Sequence, residues 1–153
     1  MRFILRSFAF LVFLIAACIS SRAAGADKSA FDEQQLLQLE QRAEQANPRD
    51  QCFLYTELVS AMTDLAGRQM RDGEPDRANA TLKKVAKYAA LIQSSLTRDA
   101  KRLKNAEKLM HDTTYRLDQY LHSASYEDRP TLQATLKQLN QVQSQLLTQV
   151  FSH

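Results

Sequence analysis

Between residues 76 and 129 the chain has neither glycine nor proline, and apolar or small residues recur throughout this interval every three or four positions. They are Leu82, Val85, Ala89, Ile92, Leu96, Leu103, Ala106, Met110, Thr113, Leu117 and Tyr120. Alternating steps of three and four put side chains on one stripe of an α-helix. Only Asp99 interrupts the stripe. The pattern predicts one continuous helix of about 48 residues, roughly 70 Å long at 1.5 Å per residue. The competing arrangement breaks near Thr97, which would N-cap a new helix with Asp99 in its first turn and fold the chain into a compact four- or five-helix bundle.

The few helix breakers elsewhere divide the remainder. An amphipathic stretch covers about residues 29–45, with Phe31, Leu36, Leu37, Leu39 and Ala43 on its apolar side. It stops at Asn47-Pro48, because the residue before proline avoids the helical region. A second helix is expected over about residues 49–71, ending near Gly73 as a left-handed cap, and Pro75 suits the first turn of the next. Pro130 opens a last helix reaching about Phe151. A long central helix needs two shorter neighbours to cover it. The expected fold is therefore all-α, with antiparallel hairpins sharing a long central helix and the first helix beside the first hairpin.

The N-terminal segment reads as an export signal. Arg2 and Arg6 form a positive start, residues 8–17 are almost wholly apolar, and Ala24-Gly25-Ala26 offers small residues for cleavage before Asp27. Ile15-Ala16-Ala17-Cys18 offers a second route, a bacterial lipobox in which Cys18 is lipidated and tethers the protein to a membrane. Either way the working compartment is outside the cytoplasm, periplasmic or extracellular. The domain division expected is a leader over residues 1–26, or 1–17 before a lipidated Cys18, followed by a single helical domain over residues 27–153.

Removing the leader changes the charge. The whole chain has 20 Lys and Arg against 17 Asp and Glu, but Arg2, Arg6 and Arg22 precede Asp27 with no acidic residue among them, so the mature chain is neutral. Nucleic acid is excluded as a partner, since phosphate binding rests on a basic surface. Charge is also uneven along the chain. Residues 27–76 carry 11 acids and 5 bases, and residues 77–108 carry 9 bases and 2 acids. Lys83, Lys84, Lys87, Arg98, Lys101, Lys104 and Lys108 fall mostly opposite the apolar stripe, as a basic ridge for anionic lipid, polymer or an acidic partner, or as a solvated outer face.

Cys52 is the cysteine left after cleavage at Asp27. It shares a helix face with Tyr55, Val59, Met62 and Ala66, which predicts burial, although an unpaired cysteine in an oxidising compartment can also link a dimer.

Candidate chemistry is sparse. Glu107 with His111, and Asp118 with His122, are spaced i to i+4 and each pair could share a cation. The pairs lie about 16 Å apart along a helix and supply two ligands each, whereas a zinc site needs three or four. No phosphate-binding loop, nucleophile elbow or His-Glu-x-x-His motif occurs, so no catalytic residue, cofactor or enzymatic activity is implied.

Three resemblances attach to specific residues. Residues 58–90, with Ala66, Gly73, Ala78, Leu82 and Val85 and the turn Gly73-Glu74-Pro75-Asp76, resemble one helical hairpin of a tetratricopeptide repeat, without a second copy at the repeat period. Leu96-Thr97-Arg98-Asp99 resembles the opening of a Leu-Thr-x-x-Gln signature of helical periplasmic stress chaperones and metal sensors, with Ala100 in place of the glutamine. Asn47-Pro48-Arg49-Asp50-Gln51-Cys52 and Lys101-Arg102-Leu103-Lys104-Asn105-Ala106-Glu107 are similar to segments of uncharacterised exported helical proteins of soil bacteria. That similarity spans most of the mature chain and implies no activity.

The functional expectation is an exported, non-catalytic helical protein serving protein–protein interaction or self-association in the bacterial envelope. Its partner is an unidentified protein or a second copy, with contact to membrane only through a lipid anchor. The alternative is a chaperone-like or metal-sensing periplasmic protein. Contact residues expected for the interaction reading are Leu103, Met110, Leu117 and Tyr120 with Leu132, Leu136, Leu139 and Leu146, which could equally pack the second hairpin against itself.

Overall fold

A computed structural model of the chain describes residues 23–97 and 99–152, with side-chain burial from Glu33 onward. Residues 1–22, which hold most of the expected leader and Cys18, lie outside the described residues, as do Arg98 and His153. Five helices and no strand occur among the described residues: α1 (Ala23–Gln45), α2 (Pro48–Arg71), α3 (Pro75–Ser94), α4 (Leu103–Ser123) and α5 (Arg129–Phe151). Contacts divide the chain into two units, Met1–Gln35 and Leu36–His153. In the first, the described residues belong to the opening of α1. The second holds the rest of α1 and the four other helices.

Local chemistry sets the helix ends. Asn47 caps α2, its side-chain oxygen accepting from Arg49 N at 3.0 Å, and Pro48 stands in the first turn, where a missing N–H costs nothing. At the other end Gly73 takes φ 75°. Glu74 N donates to Gln69 O at 2.9 Å and Gly73 N to Met70 O at 3.2 Å, the paired bonds of a Schellman cap. Pro75 and Pro130 open α3 and α5 as expected.

The all-α class holds, but the continuous central helix does not. α3 stops at Ser94 and α4 starts at Leu103. The break is the one considered near Thr97, built differently: Thr97 Oγ1 donates to Asp99 Oδ1 at 3.1 Å instead of capping a helix. Arg102 stands at the N-cap of α4 with φ 61° and ψ 28°, left-handed and without a side-chain cap. The start of α2 holds the connection. Lys101 N donates to Arg49 O at 2.8 Å, Arg49 Nε donates to Asp99 O at 3.0 Å, and the Arg102 guanidinium lies 3.5 Å from the centre of the Phe53 ring.

Because of that break the two hairpins lie side by side. α2 packs on α3 and α4 on α5, as the sequence suggests, and in addition α2 packs on α4 and α3 on α5. Phe53 near the start of α2 meets Arg102 at the start of α4, and Gly67 late in α2 meets Tyr120 late in α4, so these two helices run parallel. Asn79 Nδ2 donates to Asp128 Oδ1 at 3.4 Å and Gln138 Nε2 to Ala86 O at 2.8 Å, which makes α3 and α5 parallel as well. The core lies between the four, with Leu58, Leu82, Ile92, Met110, Leu117, Leu132, Leu139 and Leu146 fully buried. Each such side chain contributes about 1.5–3 kcal/mol on leaving water.

The end of α1 joins this core through Ala43, with Leu36 and Leu39 packed against it, while Tyr88 Oη donates to Glu40 Oε1. Leu37, expected on the apolar side of α1, is instead 56% exposed. Its neighbours Leu36 and Leu39 take the inward positions one residue before and two after, and the helical step turns Leu37 away from them.

Candidate functional site

The residues singled out from sequence fall mostly inside the bundle. Leu103, Met110, Leu117, Leu132, Leu139 and Leu146 are buried, where the packing alternative puts them, and a buried side chain cannot contact a partner of the folded chain. Tyr120 and Leu136 are half-buried. Tyr120 packs on α2 in the notch left by Gly67, and the Arg71 guanidinium lies 5.8 Å from its ring centre. Leu136 faces a surface groove described below.

The two acid–histidine pairs separate. His111 turns toward α5, where Gln143 Nε2 donates to its Nδ1 at 2.9 Å, leaving the proton on the other ring nitrogen. His122 uses its own Nδ1 on the Asp118 carbonyl at 2.8 Å, with Asp118 Oδ2 at 3.5 Å. In each ring one nitrogen is therefore committed to protein. Glu107 and Asp118 are half-buried, His111 and His122 exposed. Among the described residues no three His, Cys, Asp or Glu side chains converge to hold a metal.

The basic ridge is divided by the break. Lys83, Lys84 and Lys87 are exposed on α3, and Lys101, Lys104 and Lys108 are exposed on the connection and α4. α3 and α4 sit at opposite corners of the bundle and do not pack on each other, so the residues expected along one helix no longer share one face.

Cys52 is fully buried and unpaired. Burial pushes its thiol up to about 11, against a smaller opposing effect of the Ser95 side chain. Tyr55 is raised as well, by burial and then by the Glu44 carboxylate. Both groups are held neutral, which is the opposite of what a thiolate or phenolate nucleophile requires.

A surface not singled out from sequence is the outer side of α5. Between residues 131 and 151 Lys137 is the only charged side chain. A shallow groove of about 460 Å³ runs along this helix between Leu121 and Leu136, bordered by Gln133, Lys137, Asn140, Gln141 and Ser144, so the one charge of the helix lies on it. A second, of about 310 Å³, continues toward its end between Leu96 and Gln145, Thr148 and Gln149. Leu147 is 43% exposed and Phe151 81% exposed. The strip joins side-chain amides, which donate and accept, to exposed aliphatic and aromatic surface. Its signal in the sequence is twenty-one residues with one charge, interleaved with the leucines that face inward.

Among the described residues no helix is long and apolar enough to cross a membrane. No family model, curated protein or solved structure matches the chain.

Proposed function

We propose that this is an exported, non-catalytic helical protein that binds another envelope protein through the outer face of α5. The observation that supports it most is the near absence of charge along that face beside two grooves and exposed Leu147 and Phe151. Solvated helix faces ordinarily carry charges of both signs, as the exposed sides of α3 and α4 do here. The partner that fits is an equally uncharged amphipathic helix. Apolar side chains would fill the grooves and amides would meet amides, while a highly charged partner would find a single counter-charge, Lys137. The mature chain's neutrality and its leader agree with association in the envelope.

The test is site-specific photo-crosslinking in the native envelope from Asn140 and Ser144, with Lys83 on α3 as the control position. The expected result is one crosslinked protein at fixed stoichiometry from both α5 positions and none from Lys83, lost on Leu147→Glu. The crosslinked peptide should be a helix with few charges. Equal crosslinking from all three positions, or none from α5, would overturn the reading. Mass determination of the N-terminus in the same sample reports whether maturation ends at Cys18 or at Asp27.

A further inference from the structure

We infer that the connection between α3 and α4 is a hinge, and that a second copy of this chain is a partner for it. In that form the segment between Ser94 and Leu103 becomes helical, α3 and α4 merge, and the α4–α5 hairpin of each copy packs on the α2–α3 hairpin of the other.

Four observations carry this. The connection has no glycine or proline, and Ile92, Leu96, Ala100, Leu103 and Ala106 keep the three-and-four rhythm across it. Ser94, Ser95, Thr97 and Asp99 weaken a helix there without forbidding it, since none removes a backbone donor as proline would. Arg102, a residue with a Cβ, is held in the left-handed region at φ 61° with no side-chain cap on α4, a conformation that is costly for an L-residue and vanishes in a continuous helix. Of the contacts that keep the turn closed, the two ion pairs are at the surface, while the Lys101 N to Arg49 O bond, Arg102 on Phe53, and Leu96 and Ala100 against the core are what opening gives up. Arg49–Asp99 at 3.2 Å joins side chains 51% and 65% exposed, and Lys101–Asp50 at 3.5 Å is similarly open to water, so each is worth little. Finally, the helices of the two hairpins meet through α2 on α4 and α3 on α5, and a swap rebuilds both pairs between copies with the same buried residues.

Closed and exchanged forms thus share their core and differ at the hinge, the condition under which exchange between protomers is a low-cost route to a dimer. The merged helix, residues 75–123, would extend roughly 70 Å at 1.5 Å per residue. The exchanged dimer stacks two bundles by the ends that carry the hinge. Leu96 and the last turns of α5 border one groove at that end, and Phe151 lies exposed in the final turn, so stacking gives this apolar surface a cover. Asp99, the polar position in the stripe, falls between the two bundles instead of inside either core. Stacking covers the second groove and Phe151, which the proposed partner face also uses, and the distance within a chain tells the two apart.

The experiment uses the full chain as matured by an exporting host, with nitroxide labels at Lys84→Cys and Asp112→Cys. Both positions are exposed and lie far from the hinge contacts, while Cys52 is too buried to label. Mass is followed by light scattering from micromolar to millimolar chain. The label-to-label distance is then read in samples where labelled chains are diluted into excess unlabelled protein, so that only distances within one chain count. Expected is a dimer growing with concentration, in which the distance within a chain lengthens from a span across the bundle to roughly 40 Å, the length of 28 helical residues. Arg49→Ala should tighten the dimer several-fold, and Arg102→Gly, which accepts the left-handed backbone, should weaken it about tenfold. A chain that stays monomeric throughout the concentration series would overturn the inference. So would a dimer in which the distance within a chain remains short, which would assign self-association to an unexchanged surface such as α5.

Discussion

Gly67 and Tyr120 occupy one space: a Cβ placed on Gly67 would sit 2.4 Å from Cζ and 2.5 Å from Cε2 of the Tyr120 ring. The glycine is in the interior of α2, where its own helical preference argues against it by about 1 kcal/mol relative to alanine. What it supplies is the notch that lets α4 approach α2 near its C-terminal end. Gly67→Ala should therefore destabilise the wild-type chain by about 1–2 kcal/mol through overpacking, while stabilising a Tyr120→Ala background by up to about 1 kcal/mol. Denaturant unfolding of the four members of this double-mutant cycle checks it, and equal effects in both backgrounds would refute the notch.

Gly73 is needed for a different reason. Nothing lies within 4 Å of a Cβ built there, yet its φ is 75°. Gly73→Ala should cost about 1–2 kcal/mol from backbone alone, and Gly73→Asn less, since asparagine tolerates the left-handed region. The ranking Gly, Asn, Ala in thermal midpoint is the measurement.

Leu146 and Leu147 are neighbours with opposite fates, one fully buried and the other 43% exposed. Leu146→Ala should cost about 2–5 kcal/mol by leaving a cavity among the core helices. Leu147→Ala should change stability by less than about 0.5 kcal/mol and act only on partner binding. Unfolding curves of the two variants separate packing from recognition on the same helix.

The buried thiol gives the chain an alkaline limit. Cys52 has a folded-state value of about 11 against an ordinary 9.0, so between these the unfolded chain loses a proton that the folded chain retains. The unfolded state then binds fewer protons, and stability falls as pH rises through this window, by up to about 1.4 kcal/mol per pH unit, with no contribution below it. Tyr55, also raised, adds to the fall in the same direction. Cys52→Ala should flatten the decline without abolishing it. Urea unfolding of both chains across the alkaline range measures this, and parallel curves would show that Cys52 has no part in it.

Much of the architecture was legible because it is written locally. Asn47-Pro48, Gly73 with Pro75, and Pro130 each act through the backbone of their own residues, and the helix ends lie where they suggest. The face shared by Cys52, Tyr55, Val59, Met62 and Ala66 is buried because helical spacing alone places it on one side. Leu103, Met110 and Leu117 were legible as apolar, but whether such a stripe meets its own chain or another is not a local property. The outer face of α5 was missed for a related reason, since a face gains meaning only once its opposite side is known to be covered.

By itself the sequence determined α1, α2 and α5, the ends marked by Asn47, Gly73, Pro75 and Pro130, and two hairpins, all set by interactions between residues a few positions apart, while it ran α3 and α4 together as one helix. The tertiary structure alone decided the turn at residues 95–102. The apolar rhythm there runs on as if the helix continued, while Ser94, Ser95, Thr97 and Asp99 only weaken it and no glycine or proline forbids it. Folding back lets the apolar stripes of α2 and α4, and of α3 and α5, bury one another, and that gain outweighs one left-handed arginine and the helical hydrogen bonds given up at the break. The bundle follows from burial between segments tens of residues apart, which the rhythm of a single stripe does not encode.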